Sequence, residues 1–230
     1  MNKEQLFESA LSISNPFFIE KIDFDNNIKR IDIYINFSRG STFQSVFDGN
    51  EYTAHDTKQK IWRHLNFFEH ECYLHCRTPR IKNESGGIEL ISPPWAGKCP
   101  GLTLLFESFI LELSSHMPVK CVSKITNVND DKIWRLLDKY IDIARSKEDF
   151  SEINSIGMDE TSRAKHHQYI TLFVDLNKNR TIFVAEGKGH ETVKQFVNDL
   201  EVHKGQASKI LDVSCDMSPA FINPTFAVCF

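Results

Sequence analysis

At 230 residues and 26.5 kDa, with 41% hydrophobic and 25% charged residues, the chain has an ordinary globular composition, enough for one large or two to three small domains. A formal charge of -4 excludes a protein that coats nucleic acid by net charge alone, but leaves room for local basic patches. Met1-Asn2-Lys3-Glu4-Gln5 is not a secretory leader, no apolar run of about 18 residues occurs, and six scattered cysteines fit reduced thiols better than a disulfide framework; a cytoplasmic protein with no membrane partner is expected.

Residues 1–40 read as a short amphipathic helix (Leu6, Phe7, Ala10, Leu11) followed by two strands. In the second, Ile31, Ile33 and Ile35 alternate with Asp32, Tyr34 and Asn36, the period of a half-buried strand. Residues 41–95 read as short β-structure with turns at Asp48-Gly49-Asn50 and Ser85-Gly86-Gly87. Between the turns lies the segment Trp62-Arg63-His64-Leu65-Asn66-Phe67-Phe68, within a basic stretch that holds Lys58, Lys60, Arg63, Arg77, Arg80 and Lys82. Pro93-Pro94-Trp95 closes this part of the chain.

Residues 101–146 are helical by pattern, with Leu102, Leu105, Phe106, Phe109, Ile110 and Leu113 on one stripe. Pro118 opens a short second helix, and a third follows Asn127-Val128-Asn129 with Ile133, Leu136, Leu137, Tyr140 and Ile141. Short helix, tight turn and longer helix make a helix-turn-helix, whose third helix would offer Lys132 and Arg135 to a major groove and Lys139 to phosphates. Interleaved Asp130, Asp131, Asp138 and Asp142 fit a solvated face with charge pairs equally well. Arg63, Arg77 and Arg80 form a second candidate DNA-binding surface.

From Ile153 onward the period changes to that of strands. Ile153–Asp159 is the first, Gln168–Leu176 the second, and Arg180–Glu186 returns antiparallel after Asn177-Lys178-Asn179. A helix carrying Val193, Phe196, Val197 and Leu200 leads to a fourth strand, Ile210–Cys215, which the crossover makes parallel to an earlier one. Asp159 and Asp216 each end an apolar strand. If those strands are neighbours, the two carboxylates can hold the divalent metal that phosphodiester chemistry uses, with Glu160 and Asp175 as alternates.

These surroundings resemble those of bacterial insertion-sequence transposases of the ISL-three family, which place a zinc ribbon and a helix-turn-helix ahead of a DDE domain. The resemblance rests on Trp62–Phe68, Gly101-Leu102-Thr103-Leu104-Leu105-Phe106-Glu107, Met117-Pro118-Val119, Asp159-Glu160-Thr161-Ser162, Tyr169–Asp175 and Asp216-Met217-Ser218-Pro219-Ala220-Phe221-Ile222, in family order. It implies an α+β chain in three parts. Residues 1–95 would be a β-rich, degenerate zinc-ribbon-like domain, 96–148 the helix-turn-helix segment, and 149–230 the first half (β-β-β-α-β) of an RNase H-like domain. It also implies Asp159 and Asp216 as catalytic metal ligands for Mg2+, DNA with the element's terminal inverted repeats as partner, and a second copy or a full-length transposase as a further partner.

Three departures qualify the expectation. Asn223–Phe230 no longer resembles the family and the third acid is not reached, so a truncated, catalytically incomplete copy with weak Mg2+ binding is expected; the alternative is a non-catalytic DNA-binding protein that occupies element ends and inhibits transposition. Ser45, Asp48, Asn83 and Gly86 stand where the family has zinc-binding cysteines, and Cys72 and Cys76 on one strand would lie roughly 13 Å apart, too far to share an ion, so no zinc is expected. Asn127 replaces the usual glycine of the turn, a small cost because asparagine tolerates a left-handed backbone.

Overall fold

The structure is a computed structural model, and it describes residues 3–84, 86–164 and 168–215. The chain divides into two compact units, residues 1–141 and 142–230. Two sheets and five α-helices occur among the described residues, an α+β layout. None of these helices is long and apolar enough to cross a membrane.

The first unit begins with α1 (Lys3–Ala10), β1 (Phe17–Asp25), β2 (Arg30–Phe37), β3 (Thr42–Gln44), β4 (Glu51–Phe67), β5 (His70–Lys82) and β6 (Ile88–Leu90). The strands form one sheet in the order β1-β2-β5-β4-β3, with β6 on β5; β2 and β5 run parallel and the other pairs antiparallel. Ile31, Ile33 and Ile35 are at most 2% exposed, and Cys72, Leu74 and Cys76 share their face. Phe17, Trp62, Ile81 and Trp95 complete that core. The expected short β-structure of 41–95 is instead dominated by one long hairpin, β4 and β5, of 17 and 13 residues. Its turn, Phe68-Glu69, carries no glycine or proline; Phe68 adopts φ +54°, so the usual turn signal is missing from the sequence.

Three helices follow: α2 (Leu104–His116), α3 (Val119–Thr126) and α4 (Asp130–Arg145). The Thr103 hydroxyl caps α2 by accepting the Phe106 N–H at 3.3 Å. Leu102, Phe106 and Ile110 are buried while Leu105 and Phe109 stay 57% and 40% exposed, so the inward stripe is narrower than its periodicity suggests. Pro118 precedes α3, and Asn127 ends it in the left-handed conformation, φ 53° and ψ 36°, which turns the chain into α4. Val122, Val128, Ile133 and Leu136 close the helical core with Leu102, Phe106 and Ile110.

The second unit holds β7 (Ser155–Ala164), β8 (Gln168–Asp175), β9 (Arg180–Glu186), α5 (His190–Val202) and β10 (Asp212–Cys215). Its sheet order is β10-β7-β8-β9. β7, β8 and β9 form an antiparallel meander, and α5 carries the chain across so that β10 joins β7 in parallel. Ile156, Met158, Phe173, Ile182 and Ala185 pack with Val193, Phe196 and Leu200 of α5, and the Phe173 and Phe196 rings stack at 4.3 Å. Burying side chains of this size contributes about 1.5–3 kcal/mol each, which fixes α5 on one face of the sheet.

Candidate functional site

Strand alternation sorts the acids of β7. Ile156 and Met158 are buried on the α5 side, and Glu160, of the same parity, accepts the Gly189 N–H at 3.0 Å just ahead of α5. Gly157 and Asp159 therefore face the other way, and Asp159 is exposed opposite Leu172 of β8. Among the described residues its carboxylate makes no hydrogen bond or ion pair. The other candidate acids are engaged. Asp175 is 2% exposed and accepts the N–H groups of Asn177 and Lys178 at 3.0 and 3.1 Å, closing the β8–β9 turn, with Arg180 Nε 3.8 Å away.

β10 approaches Asp159 from its other side. The parallel ladder pairs Val213 with Ile156, Ser214 with Gly157 and Cys215 with Met158. Asp216, next in sequence, lies outside the described residues. Gly157, Met158, Asp159, Val174, Leu176, Ser214 and Cys215 line an open depression of about 390 Å3. A Cβ at Gly157 would approach Leu176 Cδ2 to 3.0 Å, so glycine keeps the floor of this depression clear. Among the described residues no group of three His, Cys, Asp or Glu side chains is gathered for a metal. Of the candidate acids Asp159, Glu160 and Asp175, only Asp159 has a carboxylate with no hydrogen bond or ion pair among the described residues, and such an oxygen is a hard donor of the type Mg2+ takes.

The candidate DNA-binding residues occupy different settings. Arg135 is exposed, its Nε donating to the Asp131 carbonyl at 3.2 Å. Lys139 is exposed and donates to the Lys98 carbonyl at 2.7 Å. Lys132 is half-buried, and desolvation holds its pKa below the usual lysine value. Arg77 is exposed and Arg80 pairs with Asp56. Arg63 is buried at 8% exposure, an interior position rather than the surface one the sequence suggested. Its guanidinium donates to the His64 carbonyl and to Asn66 Oδ1, and packs over the Tyr73 and Phe106 rings at 5.2 and 4.9 Å.

The two turns of the β-rich part hold hydrogen-bonded side chains. Ser45 Oγ donates to Glu89 at 2.8 Å and the Val46 N–H to the same carboxylate at 3.1 Å. Asp48 accepts from the Asn50 N–H and the Tyr52 hydroxyl, and Asn83 Oδ1 from the Gly87 N–H. Cys72 and Cys76 lie on β5 in the core, where burial pushes both thiols up to about 12.

Sequence reasoning did not single out Glu107 of α2, which is fully buried. Its carboxylate accepts the N–H groups of Lys98 and Cys99 at 2.8 and 2.6 Å and the Tyr140 hydroxyl at 2.8 Å. It thereby joins the 97–99 loop, α2 and α4. The available signal was an acid in the middle of an apolar helix face.

Comparison with known proteins agrees with this division. A profile described as the helix-turn-helix domain of transposase family ISL3 matches residues 91–141, and the DDE profile of that family, described as transposase, matches residues 156–229. The transposase for insertion sequence element IS1557 of Mycobacterium tuberculosis is 26% identical over 160 residues, covering 67% of this chain and 35% of the relative. The transposase for insertion sequence element IS1001 of Bordetella parapertussis is 28% identical over 169 residues, covering 73% of this chain and 41% of the relative. The chain thus spans well under half the length of either curated relative. Residues 91–141 and 156–229 thus match the helix-turn-helix and DDE domains of the ISL3 family of transposases.

Proposed function

We propose that this chain serves DNA transposition. In this reading the helix-turn-helix engages the ends of an insertion sequence, and Asp159 with Asp216 contributes carboxylates to a Mg2+-dependent centre for strand cleavage and transfer in an RNase H-like domain. The observation that carries the reading is the parallel pairing of β10 with β7, which ends at Cys215 and Met158, one residue before each aspartate. The exposed, uncommitted state of Asp159 supports it further. Mg2+ bound there would polarise a phosphodiester and make a water or 3′-hydroxyl reactive. The chain's own residues hold the geometry. Glu160, bonded to Gly189, anchors β7 on the α5 side, and Gly157 leaves space beside Asp159 for a phosphate to approach. On α4, Arg135 is the residue assigned to base edges and Lys139 to backbone phosphates, and Arg77 and Arg80 of β5 are also assigned to phosphates.

Mn2+ titration followed by water-proton relaxation tests the metal assignment. Asp159→Asn and Asp216→Asn should each weaken binding by about tenfold, roughly 1.4 kcal/mol, whereas Glu160→Gln should leave it near wild type. Equal Mn2+ binding in wild type and Asp159→Asn would remove the assignment.

A further inference from the structure

Beneath the helix-turn-helix turn lies a cleft of about 260 Å3, lined by Arg63, Tyr73, Gly101, Asn127, Asn129 and Lys132 with neighbouring apolar groups. Its charges do not cancel. The Arg63 guanidinium has Glu71 Oε1 at 3.6 Å, and that carboxylate also accepts from Asn127 Nδ2 at 2.7 Å and the Tyr73 hydroxyl at 2.8 Å, so the Arg63 charge is matched locally. Lys132 is different. It is half-buried, and among the described residues its ammonium makes no hydrogen bond or ion pair. Cys99 and Glu107 act on it through space without bonding to it, and the Glu107 oxygens are spent on Lys98, Cys99 and Tyr140. A partly desolvated ammonium without a counter-charge is costly, and an oxyanion supplies what it lacks.

The rest of the lining suits an oxyanion. Asn129 Oδ1 accepts the Asp131 N–H at 2.8 Å, which leaves its Nδ2 as a donor. Gly101 sits at φ +74°, and a Cβ there would come within 3.5 Å of Lys132 Nζ, so the glycine that the turn requires also keeps the cleft open. Asp130 and Asp131 open α4 and oppose a second negative charge, which favours a single phosphate over a polyphosphate. We propose that this cleft binds one phosphate oxyanion, with a backbone phosphodiester of DNA as its source. The DNA source rests on the DNA-binding reading above; the anion site itself does not. In this role Lys132 anchors the backbone rather than reading a base.

Two measurements on the full chain test it, with thermal unfolding as the check that variants fold. In the first, inorganic phosphate is titrated against chloride at constant ionic strength while the side-chain amide resonances of Asn127 and Asn129 are followed by NMR. A saturating, phosphate-specific shift is expected in wild type and Lys132→Arg and not in Lys132→Gln; no shift, or an equal one in Lys132→Gln, overturns the site. In the second, binding to duplex DNA is measured against salt. Lys132→Gln should lower the slope of log K on log salt by about 0.9 and weaken element ends and random DNA alike. A phosphate-specific shift with an unchanged DNA slope keeps the anion site and overturns its use on DNA. A shift without any DNA binding keeps the site and refutes the DNA-binding reading instead.

Discussion

Replacing Glu107 by leucine should unfold the first unit at markedly lower denaturant. The side chain is fully buried and accepts three hydrogen bonds, from the Lys98 and Cys99 N–H groups and the Tyr140 hydroxyl. Leucine is close in size but accepts nothing, so two backbone donors and one hydroxyl are left in an apolar interior. Each unsatisfied donor costs about 1–3 kcal/mol, and the unit can relax enough to wet part of the loop, so a total of about 3–5 kcal/mol is expected. Urea unfolding followed by tryptophan fluorescence reads this cleanly, because all three tryptophans, Trp62, Trp95 and Trp134, lie within residues 1–141. Glu107→Gln, which keeps one carbonyl acceptor, should fall between leucine and wild type. A Glu107→Leu protein within about 1 kcal/mol of wild type would refute the reasoning that this carboxylate organises the 97–99 loop against α2 and α4.

Other perturbations should behave as follows. Gly97→Ala would press a methyl onto the Glu107 carboxylate and to 2.7 Å from the Leu102 carbonyl, and should lower stability by about 1–3 kcal/mol in the same urea assay. Burial, with Arg63 beside it, lowers the His64 pKa to about 4, below its ordinary value of 6.5. His64 is thus kept neutral when folded, so first-unit stability should be full above pH 6.5 and fall as pH drops towards 4, by on the order of 3 kcal/mol; His64→Gln should flatten that pH profile. Tyr140 is raised to about 12, chiefly by burial and then by its bond to Glu107, so stability present below pH 10 should be lost as pH rises from 10 to 12, and Tyr140→Phe should remove that slope.

Much of the local architecture was legible because its periodicities are unmixed. The isoleucine alternation of β2 marks its buried face, and Asn127 ends α3 in the left-handed turn expected of it. The strand, hairpin and crossover order of 153–215 led directly to a parallel fourth strand. What was not legible depends on register and tertiary contact. Asp159 and Asp175 look alike in sequence, each an acid in or at the end of an apolar strand. Only pairing separates them: Asp175 shares the buried face with Ile156 and closes a turn, whereas Asp159 sits on the open face. Arg63 reads as a surface cation, yet its place opposite Tyr73 turns its guanidinium into the interior beneath α2. The length of the β4–β5 hairpin was hidden because a phenylalanine occupies the left-handed turn position where glycine or asparagine usually signals one. The bonding role of Glu107 was not legible because the donors that satisfy it lie 8 and 9 residues upstream and 33 downstream in sequence.

In the proposed function this chain binds insertion-sequence DNA through its helix-turn-helix segment. Competition binding at physiological salt tests it most directly, with an inverted repeat that flanks the gene set against a scrambled duplex of equal length and composition. The account predicts at least about tenfold preference for the repeat, roughly 1.4 kcal/mol, reduced when Arg135 is replaced by glutamine. Equal affinity for both duplexes, with or without Arg135, would contradict it.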